Sequence, residues 1–139
     1  MAKIFHVEIV SPQRLVYSGE AQMVDLPGTL GPFQVLVNHA PIVSQLETGI
    51  LRIQEGEGAE RTFATSGGFV ELNRNRMTVV VEAIEESTEI DPARAERSRE
   101  RALERVRRAR QEMDHQIDVA RADAALARAT NRLRLVGRL

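Results

Sequence analysis

Glu89-Ile90-Asp91-Pro92-Ala93-Arg94-Ala95 divides the chain into two kinds of sequence. Before Ile90 lie short apolar stretches broken by Gly, Pro and Asn. After Pro92 there is no further proline and a single glycine, Gly137, in a dense mixture of Ala, Arg, Glu and Leu. Asp91 suits a helix N-cap, where its carboxylate accepts a free N–H of the first turn, and Pro92 suits the first helical position, where its missing donor costs nothing. Charge divides at the same place. Residues 1–90 carry 6 Lys+Arg against 12 Asp+Glu, a net of −6, and residues 91–139 carry 13 against 8, a net of +5. The overall charge of −1 conceals an acidic module and a basic one.

Downstream of Pro92 one apolar stripe runs through Ala95, Ser98, Ala102, Val106, Ala109 and Met113. A second runs through Val119, Ala122, Leu126, Ala129, Leu133 and Val136. Both follow the 3–4 residue spacing of one helical face. Asp114-His115-Gln116 interrupts the phase, and Asp118 is placed to cap a second helix, so the pattern predicts an antiparallel hairpin of residues 91–113 and 118–137. No Gly or Pro in 113–118 forces a turn, so one long helix is also sterically open. The stripes are poor in large side chains. Each buried methyl(ene) contributes about 0.8 kcal/mol, against about 1–2 kcal/mol to order each backbone residue. Such a hairpin is weakly held and can serve as a movable element; a static hairpin packed on the first module is the alternative.

Upstream, residues 3–10 alternate Phe5, Val7 and Ile9 against His6 and Glu8, the period of a half-buried strand. Further β-rich stretches are Leu15–Tyr17, Ala21–Leu26, Phe33–Val37, Gly49–Gln54, Arg61–Thr65, Phe69–Leu72 and Met77–Ile84. Gly56-Glu57-Gly58, Ser66-Gly67-Gly68 and Asn73-Arg74-Asn75-Arg76 read as turns, the last closing a hairpin. The expected architecture is an all-β sandwich of about ten short strands over residues 1–88, followed by the α-helical hairpin over 89–139.

Chemistry is sparse. There is no cysteine, so no disulfide framework and no thiolate metal site. His6, His39 and His115 are isolated, with no metal-ligand spacing between them. Gly28-Thr29-Leu30-Gly31 lacks the Gly and Lys-Ser/Thr of a phosphate loop. No apolar run reaches the ~18–20 residues that span a bilayer, and no apolar signal core follows Met1. Arg105, Arg107, Arg108 and Arg110 form either a solvated helix face or a docking surface. A nucleic-acid role is disfavoured, because residues 91–139 contain no Phe, Tyr or Trp to stack a base. A free-standing nucleotide sensor is the other competing class.

Several segments together resemble the ATP synthase epsilon subunit. They are Leu26-Pro27-Gly28-Thr29-Leu30-Gly31, Phe33, Val35-Leu36, His39-Ala40-Pro41, Gly49-Ile50-Leu51-Arg52-Ile53, Thr65-Ser66-Gly67-Gly68-Phe69-Val70-Glu71 and Met77-Thr78-Val79-Val80. Glu89–Ala95 and Arg128-Ala129-Thr130-Asn131-Arg132-Leu133 continue the likeness in order. Pro32, Gln34 and Val37 depart from it, standing where a polar residue, Gly and Pro are expected. The resemblance implies a non-catalytic rotor subunit of a proton-translocating (or sodium-translocating) F-type ATP synthase, peripheral on the cytoplasmic side of a bacterial inner membrane. The sandwich would bind the gamma subunit and rest on the c-ring, with Gly28, Gly31, Phe33 and His39 in the ring-facing region. The hairpin would inhibit ATP hydrolysis by extending toward the catalytic α/β subunits, which Arg105, Arg107, Arg108 and Arg110 would meet. No cofactor is required and no metal is expected. Some family members bind ATP in the folded hairpin, and the corresponding residues here are Glu85, Asp91, Arg94, Arg128 and Arg132. With the turn centred near Asp114, Arg94 falls opposite residue 134, roughly 3 Å and 9 Å along the axis from Arg132 and Arg128.

Overall fold

The computed structural model describes residues 3–138. They form two compact units, the first ending at Glu86 and the second beginning at Ser87. The first contains seven strands: β1 (Phe5–Val10), β2 (Leu15–Leu26), β3 (Phe33–Leu36), β4 (Ile42–Leu46), β5 (Gly49–Glu55), β6 (Glu60–Asn73) and β7 (Arg76–Glu86). Pairing runs β1-β7-β6-β5-β2-β3, and β1 also pairs with β2, so five strands close a circuit, with β3 and β4 added on β2 and β6. All neighbours are antiparallel except β1 and β7.

Two long strands turn this circuit into a flattened sandwich. β6 pairs with β5 over residues 60–65 and with β4 over 68–72. The switch falls at Gly67, whose φ of +40° suits glycine. At Gly68 any side chain would strike the Val80 carbonyl of the neighbouring strand. Inside lie Phe5, Val7, Ile9, Val24, Leu26, Val35, Leu51, Ile53, Phe63, Val70, Leu72, Met77 and Val79, all essentially inaccessible to water. Burial of each such side chain contributes about 1.5–3 kcal/mol.

The expected sandwich is present, with fewer and longer strands than sequence suggested. Leu15–Tyr17 and Ala21–Leu26 are one strand, β2, and Arg61–Thr65 and Phe69–Leu72 are one strand, β6. Ser66-Gly67-Gly68 is therefore a bend within a strand, not a chain reversal. Gly56–Gly58 and Asn73–Arg76 do reverse the chain. In the latter, Arg74 (φ +50°) and Asn75 (φ +60°) both take left-handed conformations, the type I′ geometry that matches strand twist.

In the second unit a short 3₁₀ turn, Ser87–Glu89, precedes α1 (Pro92–Gln111) and α2 (Val119–Leu135). The caps are as expected. The Asp91 and Asp118 carboxylates accept from the amides of Arg94 (3.3 Å) and Arg121 (3.1 Å), and Pro92 opens α1. α2 closes with Gly137 at φ +74°, as Arg138 N–H donates to Leu133 O at 2.8 Å. The helices are antiparallel: Arg110 bonds Asp123 at 2.6 Å near the turn, and Arg138 lies 3.6 Å from Glu96 at the far end. The stripes hold except at Met113, which is exposed and bends the chain with a φ of +50°. No helix among the described residues is long and apolar enough to cross a membrane.

Candidate functional site

The midpoint of both interhelical ion pairs falls near residue 117, about three residues beyond the centre expected from sequence. The reason is local. α1 stops at Gln111, and the turn runs on to Asp118, with Asp114 Oδ1 accepting the Gln116 amide. The shift changes which arginines meet. Arg128 and Arg132 lie opposite Arg105 and Arg101, and Arg94 belongs near the far end of the hairpin.

These four arginines line a cleft of about 270 Å³ together with Ala102, Ala125, Ala129 and Ser98. Small lining residues are what leave the space: a larger stripe would fill it. Arg101 donates to Ser98 Oγ at 3.1 Å. Among the described residues no carboxylate pairs with Arg101, Arg105 or Arg128. Four planar, permanently charged forks lining one cleft suit an anion with several oxygens, such as a polyphosphate. Arg101 escaped the sequence reading, although the spacing of four in both Arg101/Arg105 and Arg128/Arg132 puts each pair on one helical face. Asp91 is engaged in capping, and Glu85 sits on β7 in the first unit.

The cationic surface of α1 is largely engaged within the hairpin. Arg107 grips Glu104 through two bonds (2.6 and 3.2 Å) and reaches Glu112 at 3.0 Å. Hydrogen bonding to Arg107 lowers the Glu104 carboxyl pKa. Arg108 lies 3.5 Å from Asp114, and Arg110 holds Asp123. Arg105 alone of the four has no partner among the described residues. These surface pairs contribute little each and open readily.

In the sandwich, Gly28 is buried and its carbonyl accepts from the Gly31 amide at 3.0 Å. A side chain on Gly28 would collide with the Phe33 ring. Gly28 and Phe33 both line an open cleft of about 550 Å³ that includes Asp25, Pro32, Glu47 and Arg52. Between Gly28 and Gly31 the turn presents a fully exposed Leu30. His39 stands apart in residues 37–41, its ring Nδ1 2.7 Å from the Ala40 carbonyl. That loop is tied to the β6–β7 turn: the Asn38 amide donates to Asn75 Oδ1 (2.6 Å), and Asn75 Nδ2 donates back to Asn38 Oδ1 (2.9 Å). Among the described residues no three His, Cys, Asp or Glu are grouped to hold a metal.

Two family models match in tandem. Residues 4–87 match the ATP synthase delta/epsilon chain beta-sandwich domain, and residues 88–137 match its long alpha-helix domain. The chain is 40% identical over 130 residues to the ATP synthase epsilon chain of Syntrophomonas wolfei, covering 94% of this chain and 92% of that one. It is 40% identical over 133 residues to that of Halalkalibacterium halodurans, covering 96% and 97%. A chain in the mitochondrial ATP synthase of Euglena gracilis (OSCP, F1 and c-ring) shares the fold with a TM-score of 0.80 at 20% identity, covering 94% of this chain and 79% of that one.

Proposed function

The chain belongs to the ATP synthase delta/epsilon chain family, and from that membership we propose that it is a rotor subunit coupling gamma to the c-ring of a proton-translocating F-type complex. It is a non-catalytic subunit of the ATP synthase. The observation that carries the reading is the unbroken order of the two family matches over 4–87 and 88–137, across a sandwich followed by a two-helix unit. In this reading the sandwich is the platform, meeting gamma and, through the region of Gly28, Gly31, Phe33 and His39, the ring. In this reading the chain lies at the cytoplasmic face of a bacterial inner membrane, attached through its partners. Affinity purification from detergent-solubilised membranes tests the assignment: gamma, α and β chains should be recovered together with this one. Recovery of the tagged chain alone would refute it.

The helical hairpin is the regulatory arm, inhibiting ATP hydrolysis when it extends toward the α/β subunits. Its physical basis is a net charge of +5 on a hairpin whose fully buried interhelical residues are mostly alanine. ATP is the ligand that favours the folded arm, with Arg128 and Arg132 on its phosphates and Arg101 and Arg105 opposite; the four-arginine cleft supports this choice. Calorimetry with millimolar ATP should give saturable heat that Arg128→Ala with Arg132→Ala abolishes. No heat from the unaltered chain would remove ATP from the account.

A further inference from the structure

Residues 26–46 contain no Asp, Glu, Lys or Arg, in a chain of which 28% is charged. The stretch holds the end of β2, the Gly28–Gly31 turn, β3, residues 37–41 and β4. Leu26, Val35 and Leu46 belong to the core. Leu30 is fully exposed, and Thr29, Gly31 and Pro32 beside it are exposed as well. Asp25 and Glu47 bound the stretch. Asp25 is answered within the sandwich, accepting from Gln34 Nε2 at 2.9 Å and lying 3.9 Å from Arg52.

The turn that carries Leu30 is held on several sides. Its ends close on each other through the Gly31 amide and Gly28 O. Its base is tied to the end of β4: the Thr29 amide donates to Gln45 O at 3.0 Å, and the Glu47 amide donates to Pro27 O at 2.9 Å. Gly31 takes a φ of +129°, which suits glycine, and the ring of Pro32 fixes the next φ. A side chain on so constrained a turn gives up little backbone freedom when it docks, so its burial against a partner is realised more fully.

We propose that Leu30 is the apolar anchor of the contact with the c-ring, entering an uncharged recess of the ring's surface without any ion pair. The proposal rests on the ring-facing reading of Gly28, Gly31, Phe33 and His39, and adds to it the chemistry of the contact. Pro32 stands where the resemblance leads one to expect a polar residue, and it keeps the charge-free run unbroken. Dissolved salt screens an ion pair between exposed groups, whereas burial of an apolar side chain involves no charge to screen. The contact made by this turn therefore holds at high ionic strength.

The chain has no cysteine, so Leu30→Cys gives the full-length subunit a single thiol. That thiol is labelled with a polarity-sensitive fluorophore or a photoactivated crosslinker, and the chain is returned to a complex depleted of it. The expected result is a crosslink to the c subunit, with emission that shifts to the blue on assembly and stays there between about 0.05 and 0.5 M salt. Glu57→Cys provides the control. Glu57 is exposed in the β5–β6 turn, at the opposite end of β5 from Gly49, which abuts Pro27, and its label should neither crosslink to the ring nor shift. A ring crosslink with unshifted emission, a blue shift that salt abolishes, or equal behaviour at both positions would overturn the anchor and leave the ring-facing reading standing. No ring crosslink from Leu30→Cys would remove that reading and the anchor together.

Discussion

His6 lies between two carboxylates, Nε2 3.2 Å from Glu8 and Nδ1 3.2 Å from Glu20, with Arg76 in register on β7. Hydrogen bonds to Glu8, then Glu20, raise its pKa above the ordinary value. A raised pKa means that the folded state holds the proton more tightly than the unfolded one. The resulting stabilisation is complete below about pH 6.5 and fades as pH rises through the folded pKa. NMR titration should place the His6 midpoint above 6.5, and Glu8→Gln should bring it down; an unmoved midpoint would show that Glu8 is not the cause. Tyr17 is the chain's one tyrosine, so absorbance near 295 nm reports it alone. Burial first, and then the hydrogen bond to Glu55, push its phenol well above the usual value of 10. The phenol stays protonated in the fold, so its contribution is lost as pH climbs above about 10. Ionisation should therefore appear only together with unfolding, and a simple titration at about pH 10 in the folded protein would contradict the Tyr17–Glu55 contact.

Helix boundaries were legible because capping is local chemistry: Asp91-Pro92 and Asp118 announce themselves within one turn, and both carboxylates accept the amide three residues on. Asp118→Ala should cost about 1 kcal/mol of hairpin stability. Amide exchange along Val119–Leu135 should report the loss, and unchanged protection would mean that the cap is idle. Strand extents were less legible. Whether Gly67-Gly68 reverses a chain or bends it depends on which strands lie alongside, and that pairing joins residues far apart in sequence. β4 escaped altogether, though Ile42, Ser44 and Leu46 alternate inward against exposed Val43, because it is short and follows Pro41 directly. The arginine cleft was half legible. Arg128 and Arg132 came from the resemblance, but their partners depend on the centre of the turn. Met113 sets that turn in a left-handed conformation that its sequence does not advertise.

Across the whole molecule, the two units are stabilised by different means. The sandwich is held by large side chains sealed from water, and the hairpin by alanines and surface ion pairs, with Leu133 the one large apolar side chain buried in its helices. That contrast supports the proposed roles of platform and loosely closed cationic arm. If the proposed inhibition runs through this surface, reversing the charge of Arg105, Arg107, Arg108 and Arg110 together should speed ATP hydrolysis by the assembled complex; an unchanged rate would exclude this surface as the contact. The claim that the arm regulates is tested most directly by measuring ATP hydrolysis of the purified complex carrying either the full chain or one ending at residue 88. The account predicts equal assembly and several-fold faster hydrolysis with the shortened chain. Equal rates from equally assembled complexes would contradict it.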